Sequence, residues 1–441
     1  MQTLAQLRLG ELQGSTSLRL SENLTHFPEE IFSLSETLEV LDLSANNLSE
    51  LPAEFGRLKK LKTLFCSDNK FEVLPEVLAD CPLLDIVGFK SNLIHTIPKK
   101  ALNINLRWLI LTNNRIKFLP SEIGNCVRMQ KLMLAGNQLT SLPESLSKCL
   151  NLGLLRISAN LLEKFPNWLL GMPKLSWLAF LGNPFSEKPA VKVLSKINWV
   201  ELETGKLLGE GASGTIYKAI WDNGTSTKEV AIKLFKGAVT SDGLPEDEMS
   251  TCITAGDHFG LVKLIGQIDH HPNHKEGLVM ELIPSRFSNL GNPPSLVTCT
   301  RDVFSNLKAP GIKQVLKIAA TIASVAQLLH KKGIMHGDLY AHNTLTDPEG
   351  NTLFGDFGAA SFYNKEDQLM ATGLERLEIS AFGYLLDDLL TLCAEQEVPA
   401  AIKIAMLRDL CWNVNVDARP DFKFLLSELI FLDPHSLKNF S

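Results

Sequence analysis

No Cys-X-X-Cys pair and no uninterrupted apolar run of membrane length occurs in these 441 residues, and basic residues are not in excess. Each absence removes a class of function. With 43 Lys and Arg against 49 Asp and Glu, the net charge is −6, so nucleic acid is not an expected partner. The longest apolar stretch, residues 315–329, is interrupted by Lys317, Thr321, Ser324 and Gln327 and reads as too short to span a bilayer, so no membrane is expected. The N-terminal residues lack a basic start followed by an apolar run, so no secretory signal is expected. The eight Cys are scattered, and Cys66, Cys81, Cys126 and Cys149 fall in apolar-patterned segments. They read as reduced core thiols of a cytoplasmic protein. No Gly/Ser-rich linker separates the two halves, which points to a restricted geometry between them. What is present is a globular composition, 45% hydrophobic and 21% charged, long enough for two or three domains.

The first half repeats. Asn23, Asn46, Asn69, Asn92, Asn114, Asn137, Asn160 and Asn183 recur every 23 residues, with one step of 22. Around each lies L-x-L-x-x-N-x-L, as in Leu41, Leu43, Asn46 and Leu48, and a Pro follows at a near-fixed offset. A period of this length with this pattern is that of leucine-rich repeats, in which stacked units bury one continuous apolar face. The buried Asn amides are expected to satisfy backbone groups between coils. The outward strand positions include Phe65, Trp108, Ile110, Met133, Trp177 and Leu181, mixed with Lys62, Lys90, Arg107 and Arg156. An apolar strip flanked by charge predicts a concave protein-binding face. The repeat domain is placed at 1–185, a capping segment or linker at 186–198 and a second domain at 199–441.

In that second domain, Gly209, Gly211 and Gly214 form G-x-G-x-x-G, followed by Ile216. A dinucleotide site needs a helix straight after the glycines, whereas 215–219 and 229–235 read as strands joined by a polar turn. Strand–glycines–strand is a flap over phosphates, where backbone N–H groups approach the oxygens. Lys233 ends the apolar run Val230-Ala231-Ile232 and needs a partner if buried; Glu248 is the candidate, with Glu246 as neighbour. Two further strands, 261–268 and 277–283, flank His270, His271 and His274, whose spacing fits a solvated turn better than a metal site. Residues 333–358 then bring His336-Gly337-Asp338, Asn343 and Asp356-Phe357-Gly358. Two short strands, at 344–346 and 351–354, are joined by a Pro-Glu-Gly turn and would hold Asp338, Asn343 and Asp356 at one mouth. A carboxylate to take a proton, with an amide oxygen and a second carboxylate for Mg²⁺, is what phosphoryl transfer requires.

These residues, in this order over residues 199–432, resemble a protein-kinase domain of the tyrosine-kinase-like group, joined here to leucine-rich repeats. The implied fold is an α/β leucine-rich-repeat solenoid followed by a two-lobed α+β kinase domain. The resemblance implies ATP and Mg²⁺, with Asp338 as base, Lys233 and Glu248 positioning phosphates, and Asn343 and Asp356 on the metal. It further implies nucleotide contacts from Gly209, Gly211, Gly214, Ile216, Ala231, Lys233, Met280, Glu281, Ile283 and Leu345. The function expected is phosphorylation of a protein, Ser/Thr favoured over Tyr, with the repeats recruiting a substrate or regulator. The sequence departs from the family in three places. Gly337 replaces the Arg that meets an activation-segment phosphate, so no phosphate switch is expected. Tyr340 stands where Ser/Thr kinases place a Lys, leaving His342 as a cation only when protonated. No Ala-Pro-Glu closes the activation segment, nineteen residues separate Gly358 from the helix expected at 378–392, and Glu375 is the expected partner of Arg419. These departures keep two alternatives: a nucleotide-binding scaffold, and a small-molecule kinase of the aminoglycoside or choline type.

Overall fold

The computed structural model describes residues 2–186, 194–211, 213–237, 239–305, 309–434 and 437. It divides into two compact units, Met1–Met172 with Asn183–Phe185, and Pro173–Gly182 with Ser186–Ser441. The sequence period runs to 185, yet Pro173–Gly182 belongs with the second unit.

In the first unit, helix α1 (Leu4–Arg8), capped by Thr3, precedes seven three-residue strands: β1 (Ser17–Arg19), β2 (Val40–Asp42), β3 (Thr63–Phe65), β4 (Ile86–Gly88), β5 (Trp108–Ile110), β6 (Lys131–Met133) and β7 (Leu154–Arg156). They pair in parallel in chain order. The middle residue of each, such as Leu41, Leu64 and Leu132, is fully buried, and its neighbours point outward. A left-handed residue follows each of β2 to β7 (Ala45, Asp68, Ser91, Asn113, Gly136, Ala159), and the next residue is the ladder Asn. That kink turns the amide into the array. Asn114 Nδ2 donates to Phe89 O (2.8 Å) and Leu111 O (3.0 Å), and its Oδ1 accepts from Ile94 N (2.9 Å). Asn46, Asn69, Asn92, Asn137 and Asn160 bond in the same way. Asn23 does not: it is exposed and is itself the left-handed residue. The buried Cys81, Cys126 and Cys149 thiols point at carbonyls of the preceding coil, and burial pushes Cys81 and Cys149 up to about 11. They are reduced, as their apolar setting predicts.

The second unit starts with the short strand β8 (Trp177–Ala179). Of the expected cap at 186–198, residues 187–193 lie outside the described residues. Its end is a strand: β9 (Lys196–Asn198) pairs in parallel with β13 (Leu264–Asp269), through Ile197 opposite Ile268. The hairpins β10 (Leu202–Glu210), β11 (Gly214–Asp222) and β12 (Thr227–Phe235) and strand β14 (Gly277–Glu281) complete a sheet ordered β10-β11-β12-β14-β13-β9. Alternation along β12 sends Val230 and Ile232 into a core with Ile197, Ala219 and Val279. On the other face Phe235 and Leu278 meet Met249 and Ile253 of helix α2 (Pro245–Ala255). In the turn 269–274, His270 and His274 are exposed and left-handed, while His271 packs on Trp199 with ring centroids 4.3 Å apart.

The rest is mainly helical. After the two-residue strand β15 (Ser288–Asn289) comes α3 (Ile312–Lys331), the one helix among the described residues long and apolar enough to cross a membrane. It is a core helix here, with Val315, Ala319, Ile322 and Leu329 fully buried. Strand β16 (Ile334–Met335), the hairpin β17 (Thr344–Thr346) and β18 (Thr352–Phe354), and strand β19 (Ser361–Phe362) carry the loops of interest. Helices α4 (Gln368–Leu392), α5 (Pro399–Cys411) and α6 (Phe422–Leu432) close the unit.

Candidate active site

A cleft of about 1000 Å³ opens between the β10–β14 sheet and the β17–β18 hairpin. Gly209, Ile216, Ala231 and Lys233 line it from the sheet, Met280, Glu281 and Ile283 from the end of β14, and Leu345 from the hairpin, as expected. Leu208, Cys252, Phe287 and Phe354 line it as well and carried no signal in the sequence. Gly211 and Gly214, expected at the nucleotide, are not among the lining residues. Gly214 is small for another reason: a Cβ there would lie 2.6 Å from Leu234 O, so the adjoining strand, not a phosphate, demands glycine. At Gly209 and Gly211 a Cβ would meet nothing within 4 Å, so the flap has open space beside it.

Lys233 and Glu248 are paired, β12 supplying the amine and α2 the carboxylate. Glu248 is buried and Lys233 nearly so, as a lysine at the end of an apolar strand requires. Burial works against the ammonium, but the charges of Glu248 and Asp356 outweigh it and hold Lys233 above its ordinary value. Asp356 adopts a left-handed backbone (φ 58°), which turns its carboxylate back so that Oδ1 accepts from Gly358 N (3.2 Å). Positive φ at a non-glycine residue costs on the order of 1 kcal/mol or more and is typical of functional turns.

The catalytic loop is built around two buried groups that the motif alone does not assign. His336 is fully buried, with Nδ1 accepting from Asp338 N (3.3 Å) and Nε2 donating to Gly355 O (3.1 Å). Those partners fix a neutral tautomer, and burial pushes its pKa down. The ring thus ties the Asp338 loop to Asp356-Phe357-Gly358. Beneath it, the fully buried Glu378 of α4 accepts from His330 Nε2 (2.8 Å), His336 N (3.3 Å) and Gly337 N (2.7 Å). Burial works to raise this carboxyl, yet those bonds hold it below the usual range. Asn343 Nδ2 donates to Asp338 O (2.9 Å) and Oδ2 (2.8 Å), leaving its Oδ1 as a hard oxygen donor. His342 Nδ1 bonds Asp302 Oδ1 (2.7 Å), a partner the sequence did not suggest.

Among the described residues no cluster of three His, Cys, Asp or Glu forms a self-contained metal site. One amide oxygen and one carboxylate, Asn343 and Asp356, suit Mg²⁺ that completes its shell from phosphates and water. The donor set and the open flap both fit a magnesium-bound nucleotide.

Three expectations beyond the cleft are corrected. Helix α4 begins at Gln368, ten residues before the expected start, so only residues 359–367 separate Gly358 from it. Asp367 caps it, its side chain accepting from Met370 N (3.1 Å). The activation segment is therefore half the expected length. Arg419 does not meet Glu375: its guanidinium donates to the carbonyls of Asn413 (3.1 Å), Arg376 (3.0 Å) and Pro173 (2.5 Å), while Glu375 accepts from Phe422 N (3.0 Å). Trp177, expected on an open binding face, is 1% exposed and stacks on Tyr340. Of the other expected positions, Phe65, Trp108, Ile110 and Met133 are half-buried on the outward side of their strands. There Phe65 lies over Gly88, and Trp108 Nε1 points at Met133 Sδ (3.3 Å).

A glycine flap, a Lys–Glu ion pair, a His-Gly-Asp loop with Asn five residues on, and Asp-Phe-Gly after a hairpin define a protein-kinase domain. Residues 202–382 match the family model "Protein tyrosine and serine/threonine kinase", and residues 37–58 and 105–126 match "Leucine Rich Repeat". The chain thus carries leucine-rich repeats and a protein-kinase domain. It is 26% identical over 54% of its length to the "Probable serine/threonine-protein kinase gdt4" of Dictyostelium discoideum. It is 26% identical over 48% to the "Rust resistance kinase Lr10" of Triticum aestivum, and 26% identical over 56% to "Receptor tyrosine-protein kinase erbB-4" of Homo sapiens. These matches cover 16%, 31% and 21% of the respective relatives, so the chain spans less than a third of each.

Proposed function

We propose that this protein transfers the γ-phosphoryl group of ATP to a protein hydroxyl, with Ser and Thr favoured over Tyr. The observation that carries the reading is the assembled ion pair of Lys233 and Glu248 beside Asp356, with Asn343 bonded to the Asp338 carboxylate across the loop. Adenine would lie against Ala231, Met280 and Leu345, with the Glu281 to Ile283 backbone at its edge. Lys233 contacts phosphate oxygens while Glu248 holds it in place. Asp338 accepts the proton of the acceptor hydroxyl as that oxygen attacks, and Asn343 fixes the carboxylate's rotamer. Magnesium, held by Asn343 and Asp356, neutralises the phosphate tail when bound. Positioning and charge stabilisation supply most of such a rate enhancement.

The Ser/Thr preference is supported by the printed names of relatives such as gdt4. We place the protein partner on the outward strip of Phe65, Trp108, Ile110 and Met133, and remove Trp177 from it. Buried free thiols such as Cys66, Cys81, Cys126 and Cys149 support a reducing, cytoplasmic setting. The test is label transfer from Mg·ATP to the protein itself and to casein. Asp338→Ala should lower transfer about a hundredfold or more while nucleotide binding, followed by thermal shift, persists. Full activity in that variant would remove Asp338 from the chemistry. The nine residues left to the activation segment favour a second reading, a nucleotide-binding scaffold, which would show the shift without transfer. A small-molecule kinase would instead release ADP only with an added metabolite.

A further inference from the structure

The catalytic loop of this chain is short of the supports its relatives' motif supplies. Gly337 has no side chain with which to reach a phosphate, and only nine residues lie between Gly358 and Gln368, of which Ser361–Phe362 pair with Ile334–Met335 ahead of the loop. A different segment lies there. The segment 176–181, with β8 at its centre, carries the repeat pattern in sequence but belongs to the second unit. Trp177 Nε1 donates to Leu339 O (3.0 Å), and its indole stacks on Tyr340, with centroids 4.4 Å apart and planes within 5°. Tyr384 of α4 closes the other side at 5.1 Å. Leu178 O sits against Gly337, where a Cβ would approach it to 2.5 Å. Phe180 N and Leu181 N both donate to Ser361 Oγ (2.9 and 3.2 Å), and Ser176 Oγ bonds Ser380 Oγ (2.9 Å). Residues 337, 339 and 340 are thus each met by this segment, while the Asp338 carboxylate takes its bond from Asn343.

We propose that Trp177 is a positioning residue for phosphoryl transfer: through Leu339 and Tyr340 it braces the loop that presents Asp338 and Asn343. The brace reaches Asn343 because Tyr340 O accepts from Asn343 N (3.3 Å) and from Thr344 Oγ1 (3.0 Å). Stacking and one buried hydrogen bond therefore hold the backbone that carries both side chains, while Asn343 Nδ2 orients the Asp338 carboxylate. The brace is present without phosphorylation, since its contacts are aromatic and backbone groups. This inference rests on the protein-kinase reading for its kinetic consequence, but not for its structural one.

The experiment uses the 441-residue chain and its Trp177→Ala and Trp177→Phe variants. ADP release and label transfer to casein give kcat and KM for ATP; hydrogen exchange reads residues 337–343 directly. Trp177→Ala should lower kcat about tenfold or more with KM for ATP within about twofold, because the loop, not the nucleotide cleft, loses its support. Exchange at 337–343 should quicken in the same variant, with the thermal shift by a Mg-bound non-hydrolysable ATP analogue retained. Trp177→Phe keeps a ring on Tyr340, loses only the indole N–H, and should recover part of both; it also stands in should Trp177→Ala fail to fold. A kcat that holds or rises, or unchanged exchange at 337–343 in both variants, overturns the proposal. If the wild type transfers no phosphate to any acceptor, the kinase reading fails alone, and the exchange data still decide the brace.

Discussion

At position 337 two backbone carbonyls already fill the place a side chain would take. A Cβ there would lie 2.5 Å from Leu178 O and 2.8 Å from Ala359 O, and φ is +72°, so the family's Arg is excluded by space and by backbone conformation alike. The sequence shows the glycine but not its reason, because Leu178 lies in the other half of the chain. His342 is the reverse case: its possible charge was legible, its partner was not. Burial opposes the imidazolium, but the Asp302 hydrogen bond and the charges of Asp338, Asp302 and Asp356 outweigh it and raise the pKa above the ordinary 6.5. A raised folded pKa means stabilisation that is fully present below about pH 6.5 and is lost as pH climbs through the folded value. Asp302→Asn removes the partner and with it that dependence. Between about pH 6 and about pH 9 the wild type should therefore lose more in Tm than Asp302→Asn, in paired thermal melts. Parallel curves would mean that the pair contributes nothing on titration. Asp338, Asn343, Asp356, Lys233 and Glu248 were readable because each motif fixes residue type and spacing together. The expected Glu375–Arg419 pair was not, because opposite charge says nothing about which carbonyls a buried guanidinium will meet.

Strands, hairpins and the Asn ladder follow local rules, and the sequence carries them well. The period of the buried leucines, the Pro-Glu-Gly turn between β17 and β18 and the extent of α3 all appear where the pattern places them. The start of α4 is an element the pattern hides. Its first turns contain Thr372 and Gly373, and glycine within a helix costs about 1 kcal/mol, so the stretch reads as loop. Burial of Gly373, Leu374 and Leu377 against the unit overrides that preference, and Asp367 supplies the cap. The consequence is chemical. Between Gly358 and α4 the hydroxyls are those of Ser361 and Tyr363, and both are buried. Ser361 Oγ accepts two backbone N–H groups, and Tyr363 Oη donates to His330 O (3.2 Å). A phosphate on either would be a buried dianion, met at Ser361 by backbone groups and at Tyr363 by the His330 ring (Nδ1 to Oη, 2.9 Å), which is already paired with Glu378; that disrupts rather than orders. Activity should therefore be the same before and after phosphatase treatment, measured as the initial rate of label transfer to casein. A rate that falls on dephosphorylation and returns on incubation with Mg·ATP would show a switch that this segment cannot house.

For the molecule as a whole, the sequence and the fold divide the chain at different places. Periodicity ends the repeats at 185 and the motifs begin the kinase domain at 199, but the compact second unit also holds Pro173–Gly182 and the strand Lys196–Asn198. Repeat sequences advertise their period, whereas a contact between distant segments leaves no periodic trace, so the boundary is visible only in three dimensions. Its energetic weight can be bounded. Cutting at 199 uncovers the site of a buried Trp177, worth about 3 kcal/mol or more by analogy with large-to-small aromatic substitutions. It also leaves Leu339 O, Ser361 Oγ, Ser380 Oγ and one guanidinium arm of Arg419 without the partners they now have. Buried polar groups stripped of partners cost roughly 1–3 kcal/mol each, and more for a charged one. The total is of the same order as the roughly 5–15 kcal/mol net stability of an ordinary domain. A chain beginning at residue 199 is thus expected to melt without a cooperative transition or to aggregate, while one beginning at residue 173 keeps a calorimetric transition and the nucleotide-dependent shift. Equal Tm values for the two would mean that the segment rides on the kinase domain without supporting it.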